Sequence, residues 1–485
     1  MKKDDSRADE KWYDRFYKHP KKSGQAKKGG RASGISAGNP AGRRNSAASG
    51  TQSAAQDAAP RRSRFSAPDA DVKICGTVFD GAAVPADARS VLDSFDSIVQ
   101  SVRPMNARQL SRLPYAVREL SHALTDERER RRLGYMNSTE ELSAYVRYFA
   151  WWNLVRLTRI FANCPPSAFQ LADGDACLDV GSGPLTAVIA LWLARPELRN
   201  RRLTWYCLDF SQNALSFGEE LYLSVASKAR PSGSAAPPHW EIVRVKGEAG
   251  TRIRRKAALV TCANLFNEIN QSAECKPSEA ADAQLEMLLP YMDGRTSLFV
   301  CEPGMPSAAH FISLLRERFI ARGFSISLPC PHEGRCPMYG QNARFGGSIK
   351  WCNFSFTTES APPALMKLSA GAGIPKERAV ISFLLAERNS TEAGTAARPA
   401  GAARAAPAAD KAARGGTLPL RISSDPIWLP EHRTGFYACG EHGLTLVVAR
   451  TQKDLASGML IRAELNKPFH ELQRDKKTGA AELVI

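Results

Sequence analysis

Three cysteines lie close together in the second half of the chain, and clustered thiolates are metal ligands. Cys330 and Cys336 stand in a segment rich in proline and glycine, Pro329-Cys-Pro-His-Glu-Gly-Arg-Cys-Pro337, and Cys352 follows at the start of an expected strand. A closed tetrahedral zinc site or a cubane iron-sulfur cluster needs a fourth ligand. These residues therefore predict a metal centre that a more distant residue completes.

Cys439 is our first choice for the fourth ligand, with His332 and Cys301 as alternatives. The chain has 11 cysteines, an odd and sparse number over 485 residues, so a secreted disulfide framework is not expected. In a reducing compartment, clustered cysteines indicate metal more often than disulfides. Spacing alone does not separate zinc from iron-sulfur.

A second group of residues that could form a functional site lies around two glycines. The segment Leu178-Asp-Val-Gly-Ser-Gly-Pro184 ends an apolar strand and precedes the apolar stretch Ala187 to Ala194. Glycine there permits a tight turn and close approach of a ligand, and the following helix N-terminus supplies N–H donors. Asp209 ends the next strand, where a carboxylate can accept hydrogen bonds from ribose hydroxyls. We therefore predict a nucleotide-cofactor site formed by Asp179, Gly181, Ser182, Gly183, Asp209, Ser211 and Asn264.

The catalytic side of this site is not assigned. The segment Cys262-Ala-Asn-Leu-Phe-Asn-Glu268 follows the fourth strand without a recognisable catalytic motif. Asn264, Asn267 and Glu268 are candidates for the reacting face, although Asn267 and Glu268 are equally suited to capping the next helix. No residue is identified as a base or nucleophile, and enzymatic activity stays undecided.

The elements that must position these residues alternate in type. From Ala176 onward, apolar strands alternate with helical stretches, which is typical of a doubly wound parallel sheet in an α/β fold. We expect seven strands: Cys177 to Val180, Leu203 to Leu208, Trp240 to Val245, Ala258 to Ala263, Ser297 to Cys301, Phe324 to Leu328 and Ala379 to Leu385. Apolar positions at helical spacing between residues 86 and 162 predict helices before the sheet.

Composition divides the chain into five segments. Residues 1–70 form a basic tail, which we expect to be disordered because residues 24–66 contain almost no large apolar residue. A helical region at 71–168 and an α/β domain at 169–388, with a cysteine-rich insertion at 329–352, follow it. Residues 389–416 form a linker rich in alanine, arginine and proline. Short β-like runs at 417–485 predict a small β-rich module.

The charge of the chain predicts a polyanionic partner. The net charge is +17, and residues 1–70 contain 16 Lys and Arg against 7 Asp and Glu, a net charge of +9. A basic surface neutralises phosphates and releases their counterions. No apolar run is long enough for a membrane span, and the start of the chain resembles neither a signal nor a transit peptide. We therefore expect a cytoplasmic protein without a membrane partner.

The Leu-Asp-Val-Gly-Ser-Gly-Pro motif together with Asp209 resembles the first two cofactor motifs of class I S-adenosylmethionine (SAM) dependent methyltransferases, with Pro184 where many members have a further glycine. Combined with Cys-Pro-His-Glu-Gly-Arg-Cys-Pro, Trp-Cys-Asn-Phe and the late Cys439, it is similar to the methyltransferase-like assembly factors of the mitochondrial and bacterial ribosomal small subunit. The resemblance implies SAM as cofactor, small-subunit rRNA as partner, and a 4Fe-4S cluster held by Cys330, Cys336, Cys352 and Cys439, with zinc as the alternative metal.

Two functions follow from this resemblance. The favoured hypothesis is an assembly factor that uses the methyltransferase fold and the cluster as a platform for binding rRNA. The alternative is an active SAM-dependent rRNA methyltransferase. The sequence identifies neither the RNA position contacted nor the oligomeric state.

Overall fold

A computed structural model describes residues 68–125, 135–229, 239–270, 275–338, 350–388, 417–449 and 454–485. Nearly all of the expected basic tail and the whole of the expected linker lie outside these residues. No described helix has both the length and the apolar content needed to cross a membrane.

The apolar strands of the middle of the chain form one mixed sheet. It contains the seven expected strands, with ends that differ by at most three residues, and one more: β2 (Ala176–Val180), β3 (Thr204–Asp209), β4 (Glu241–Lys246), β5 (Leu259–Ala263), β6 (Ser297–Pro303), β7 (Phe324–Leu328), β8 (Phe354–Thr357) and β9 (Arg378–Arg388). The order is β4-β3-β2-β5-β6-β9-β7, with β8 paired to β9. Strands β2 to β6 are parallel, and β9 runs antiparallel to both β6 and β7. This order confirms the class I methyltransferase fold.

Helices cover both faces of this sheet. They are α1 (Ala86–Asp93), α2 (Phe95–Val102), α3 (Ala107–Thr125), α4 (Thr139–Tyr145), α5 (Trp151–Asn163), α6 (Thr186–Ala194), α7 (Gln212–Lys228), α8 (Phe266–Ile269), α9 (Pro277–Leu288), α10 (Pro306–Ala321) and α11 (Pro363–Gly371). A π-helical turn, Val146–Ala150, joins α4 to α5. Because strand side chains alternate between faces, Cys177 packs into one core while Leu178 packs into the other. A strand buried on both faces therefore has a continuous apolar sequence.

The β-rich module is a second, separate sheet. It contains β10 (Thr417–Ile422), β11 (Ile427–Leu429), β12 (Arg433–Gly440), β13 (Gly443–Ala449), β14 (Met459–Leu465) and β15 (Ala481–Val484), with β1 (Ala70–Thr77) at one edge. Strand β1 pairs antiparallel with β14, so that Ala70 lies opposite Leu465. The segment that we placed at the boundary between the basic tail and the helical region is therefore part of the C-terminal sheet.

The module packs directly against the methyltransferase-like domain. Arg421 of β10 is buried and donates a hydrogen bond of 2.8 Å from Nε to the carbonyl oxygen of Pro329. Ser355 of β8 donates from Oγ to Asp425 at 2.6 Å, and its backbone N–H donates to Ser457 Oγ at 3.1 Å. The first of these contacts joins the module to the cysteine-rich segment, and the other two join the module to β8.

Candidate functional site

A cavity of about 580 Å³ opens at the carboxyl ends of β2, β3 and β5. In an open α/β sheet, ligands bind at this edge. Six of the seven residues predicted for the cofactor site line the cavity: Asp179, Gly181, Ser182, Gly183, Asp209 and Asn264. Ser211 does not line it. Its hydroxyl accepts a hydrogen bond from Ala214 N–H at 3.2 Å and so caps the N-terminus of α7.

The turn after β2 has a backbone that requires glycine. Gly181 has a φ of 68°, in the left-handed region. A Cβ atom at this position would stand 2.6 Å from Cδ1 of Leu265, which also lines the cavity. The close approach of the turn after β2 to the loop after β5 therefore depends on glycine, which has no side chain, at position 181.

Asp209 organises the edge of the cavity through its carboxylate. Oδ2 accepts a hydrogen bond of 2.9 Å from Gly183 N–H, and Oδ1 accepts one of 2.8 Å from Ser211 N–H. Burial raises the pKa of Asp209, and the backbone hydrogen bonds oppose that rise. The carboxylate thus joins the turn after β2 to the start of α7.

Asp179 lies deeper in the same site. Its two oxygens accept hydrogen bonds of 2.6 Å from Ser182 Oγ and of 2.6 Å from Thr261 Oγ1. Burial raises the pKa of Asp179 to about 6, despite those two hydrogen bonds. Asp179 therefore holds the turn against β5 and is sensitive to mildly acidic pH.

The loop after β5 has a cap that the sequence analysis missed. Glu302, at the end of β6, is fully buried and accepts hydrogen bonds from the backbone N–H groups of Phe266, at 2.7 Å, and Asn267, at 3.1 Å. Burial raises the pKa of Glu302 to about 8. The sequence feature that could have identified this cap is Glu302 itself, a single acidic residue in the apolar strand Ser297–Pro303. Of the residues weighed for the reacting face, Asn264 and Glu268 line the cavity, whereas Asn267 donates from Nδ2 to the Asn264 carbonyl at 3.0 Å.

Residues before the sheet complete the cavity. Met136, Tyr145, Asn153 and Leu157 line it from the helical region. Ser211 Oγ donates to the carbonyl oxygen of Met136 at 3.2 Å, which fixes this segment to the start of α7. Sequence periodicity predicted helices here but not their contribution to the cavity.

The four predicted cysteine ligands are brought to one place. Cys336 and Cys439 share a buried cluster against which Cys352 packs. Burial raises the pKa of the Cys439 thiol, and the neighbouring thiols of Cys330 and Cys336 raise it further. Cys352 lies two residues before β8, slightly ahead of the expected strand. The alternative ligand Cys301 lies instead in the core of the central sheet.

Two buried arginines flank these cysteines. Arg316 of α10 donates from Nε to Cys330 Sγ at 3.2 Å and from Nη1 to the Gly334 carbonyl at 2.9 Å. Arg421 lies opposite Cys439 in the pairing of β10 with β12. Burial lowers the pKa of Arg421, whereas the neighbouring Cys439, Cys330 and Cys352 thiols act to raise that pKa. The guanidinium groups supply positive charge that suits a group of thiolates.

Zinc and an iron-sulfur cluster require different spacings of their thiolate ligands. Within the described ranges, no three His, Cys, Asp or Glu side chains are close enough to hold a single metal ion. Tetrahedral zinc holds its thiolates about 3.8 Å apart, given a Zn–S bond of about 2.3 Å. A four-iron cluster binds each thiolate through a different iron, so its ligands stand farther apart. The chain supplies four thiols with two arginines beside them, which is the donor chemistry that either group takes.

The strand order, with its reversed β9, and a ligand cavity at the carboxyl edge define a class I methyltransferase-like protein. Residues 168–406 match the model of the family described as "Mitochondrial small ribosomal subunit Rsm22". This match, over just under half of the chain, confirms the resemblance to methyltransferase-like ribosomal factors.

Solved structures similar to this chain are remote in sequence. A SAM-dependent methyltransferase from Geobacter sulfurreducens, in complex with S-adenosyl-L-homocysteine, is 10% identical with a TM-score of 0.27, over 49% of this chain and 90% of its own. A putative RNA methyltransferase from Pyrococcus horikoshii is 12% identical with a TM-score of 0.26, over 48% and 83% of the two chains. Similarity at this level does not bear on activity or substrate. The comparison with curated proteins gives no match.

Proposed function

We propose that this protein is a ribosomal small-subunit assembly factor that binds rRNA through its methyltransferase-like domain and a 4Fe-4S cluster. The observation that carries the proposal is the match of residues 168–406 to a family described by the ribosomal small subunit. The net charge of +17 supports an RNA partner, because phosphate contacts supply most of the affinity of basic proteins for nucleic acid. We keep the cytoplasmic location as part of this proposal, although the family description names mitochondria.

Cys330, Cys336, Cys352 and Cys439 would hold the cluster. When bound, it would tie the loop after β7 to β12 of the module and supply a group sensitive to oxygen and to redox state. The chain supports this by hydrogen bonds that fix the loop: Arg316 to the Gly334 carbonyl, and Arg421 to the Pro329 carbonyl. In this proposal the cluster has a structural role: it stabilises the conformation of the surface formed by the loop after β7 and by β12.

The cavity would bind SAM. Asp209 would accept hydrogen bonds from the ribose hydroxyls, and the turn at Gly181 and Gly183 would lie against the methionine part. Asp179, Ser182 and Asn264 complete this proposed site, and Ser211 acts through its cap on α7. The second candidate function is an active rRNA methyltransferase. The observation that supports it is this cavity, which is open and large enough for a ligand.

Sedimentation tests the ribosomal proposal. The wild-type protein is expected to comigrate with small subunits in a sucrose gradient and to crosslink to small-subunit rRNA. Absence from the small-subunit fractions at low salt would refute the assembly function. Transfer of a labelled methyl group from SAM to small-subunit RNA distinguishes the second function, and a protein that binds SAM without transfer is not a methyltransferase for that RNA.

Metal analysis tests the cluster. Protein purified without oxygen is expected to be brown, to show a broad visible charge-transfer band, and to contain iron and sulfide in equal amounts. The Cys439→Ser variant should lose most of this iron, whereas Cys275→Ser, which changes an exposed cysteine, should keep it. A colourless protein that contains stoichiometric zinc would refute the cluster and indicate that these cysteines bind zinc.

A further inference from the structure

The connection between β4 and β5 differs from the other crossovers among the parallel strands of the central sheet. Parallel strands are usually joined through a helix, and α6, α7 and α9 serve the other crossovers among β2 to β6. Residues 247–258, all of which the structure describes, form neither helix nor strand. The chain therefore crosses the sheet here as an irregular segment, from the edge strand β4 past β3 and β2 to β5. We call residues 246–258 the basic strap.

The basic strap presents positive charge to solvent. It contains five Lys and Arg and one Glu, a net charge of +4. Its five basic residues are all exposed: Lys246, Arg252, Arg254, Arg255 and Lys256. Apolar residues between and beside them seat the strap on the sheet, since Ile253 packs against the core and Ala257 is buried in that core. The strap thus has an apolar inner side and a basic outer side.

Hydrogen bonds hold the strap in place. Thr251 donates from Oγ1 to the carbonyl oxygen of Glu248 at 2.7 Å, and its own carbonyl oxygen accepts from the Tyr291 hydroxyl at 2.9 Å. Towards the other end, Arg255 donates from Nη2 to the carbonyl oxygen of Gly174 at 2.6 Å. Because a carbonyl group carries no net charge, these bonds position the strap without neutralising it.

Three of the strap's cations lie apart from any acid. Among the residues that the structure describes, no carboxylate oxygen lies within 4.0 Å of Lys246, Arg252 or Arg254. By contrast, Arg244, just before the strap, pairs with Glu219 at 3.1 Å. Like charges gathered on one exposed segment attract anions, and a nucleic acid backbone offers closely spaced phosphates.

The strap begins at the rim of the cofactor cavity. Gly247, Glu248 and Ala249 line the cavity, whereas none of the five cations does. The backbone N–H of Gly247 donates to the carbonyl oxygen of Asp209 at 3.0 Å, which fixes the start of the strap to the end of β3. A polyanion bound along the strap would therefore pass beside the cavity without occupying it.

We propose that the basic strap binds the phosphate backbone of RNA through Lys246, Arg252 and Arg254, and so places the RNA strand beside the opening of the cofactor cavity. Exposed Lys and Arg gain affinity for RNA because each phosphate contact releases condensed counterions. A guanidinium offers a planar fork of donors that matches a phosphate, and an ammonium adds a point charge. This inference rests on the proposed RNA-binding function and names the surface that would serve it.

Binding of the full chain to a single-stranded fragment of small-subunit rRNA, measured over a range of salt concentrations, tests the strap. The strap variant combines Lys246→Gln, Arg252→Gln and Arg254→Gln. Each phosphate contact contributes about 0.7 to the slope of log affinity against log salt, so this variant should reduce the slope by about 2. Its affinity should fall about 100-fold at about 0.1 M salt, which is about 5-fold for each contact. Affinity for S-adenosyl-L-homocysteine, measured by calorimetry, should be unchanged.

The control variant removes the same charge from three separate elements. It combines Arg89→Gln, Arg112→Gln and Arg462→Gln, which alter exposed residues of α1, α3 and β14. The control should change the slope by less than about 0.7, the contribution of one contact. Arg252→Lys with Arg254→Lys keeps both charges and should keep the wild-type slope. Circular dichroism establishes that each variant is folded.

Three results would overturn the inference. The first is an unchanged slope in the strap variant, and the second is an equal fall in the strap and control variants, which would show that net charge alone governs binding. The third is a loss of S-adenosyl-L-homocysteine affinity with RNA affinity intact, which would assign the strap to the cofactor.

Retention on immobilised heparin, a sulfated polyanion, separates the strap from the proposed function. The strap variant should elute at lower salt than both the wild-type protein and the control variant, and elution at the same salt would contradict a polyanion site. If the wild-type protein binds no rRNA, the proposed function fails and the assignment of the strap to RNA fails with it. The heparin comparison would then still decide whether the strap binds polyanions.

Discussion

Replacing Gly181 by alanine tests how the turn after β2 shapes the cavity. The residue has a φ of 68°, where a side chain costs about 1–2 kcal/mol. Its new Cβ would also stand 2.6 Å from Leu265 Cδ1, so Leu265 must move at a further cost of about 1–3 kcal/mol. Gly181→Ala should therefore lower the free energy of unfolding by about 2–5 kcal/mol.

Gly174→Ala is the matched control. Gly174 also has a positive φ, of 83°, but a Cβ there would meet no atom within 4 Å. This variant should lose only the backbone part, about 1–2 kcal/mol. Urea denaturation measures both values, and their difference isolates the contact with Leu265.

Ligand binding supplies the second measurement. Because Leu265 lines the cavity, its displacement in Gly181→Ala should weaken S-adenosyl-L-homocysteine at least about 10-fold, which corresponds to about 1.4 kcal/mol. Gly174→Ala should bind like the wild-type protein. Equal stability losses in the two variants, together with unchanged ligand affinity, would refute the account of the turn.

Three further predictions concern other parts of the molecule. The raised pKa of Asp179, about 6 against about 3.9 in the unfolded chain, means that the native state holds the proton more tightly. The stability of the wild-type protein relative to Asp179→Asn should therefore fall by up to about 3 kcal/mol as pH rises from 4 to 7, and a flat difference would contradict the assignment. Arg316→Gln, which removes the hydrogen bond to Cys330 Sγ, should lower the reduction potential of the proposed cluster in a redox titration and lower the iron content of the purified protein, whereas Arg318→Gln should leave both unchanged. Deleting residues 1–67 should weaken RNA binding and reduce its salt dependence, and an identical salt slope would reject a role for the tail.

Local sequence was sufficient for the central sheet. The seven expected strands are all present within a few residues of their predicted ends, because strands buried on both faces leave continuous apolar runs. The turn at Gly181 was likewise evident, since its backbone geometry restricts the residue type. The positions of Asp179, Asp209 and Asn264 at the cavity followed from the rule that strand ends of a parallel sheet share one edge.

Features that depend on partners distant in sequence were found only in the tertiary structure. Strand β1 pairs with β14 across almost the whole chain, and nothing near residues 70–77 specifies that partner. The cap that Glu302 provides and the capping role of Ser211 depend on which backbone N–H groups approach them.

The sequence by itself determined the fold class, the glycine turn and the types of residue able to bind metal. The tertiary structure decided which of them meet: Cys439 joins Cys330, Cys336 and Cys352, whereas Cys301 remains in another core. The physical reason is that backbone conformation and apolar periodicity are encoded over a few residues. Contacts between thiols and arginines on separate sheets depend instead on how those sheets pack.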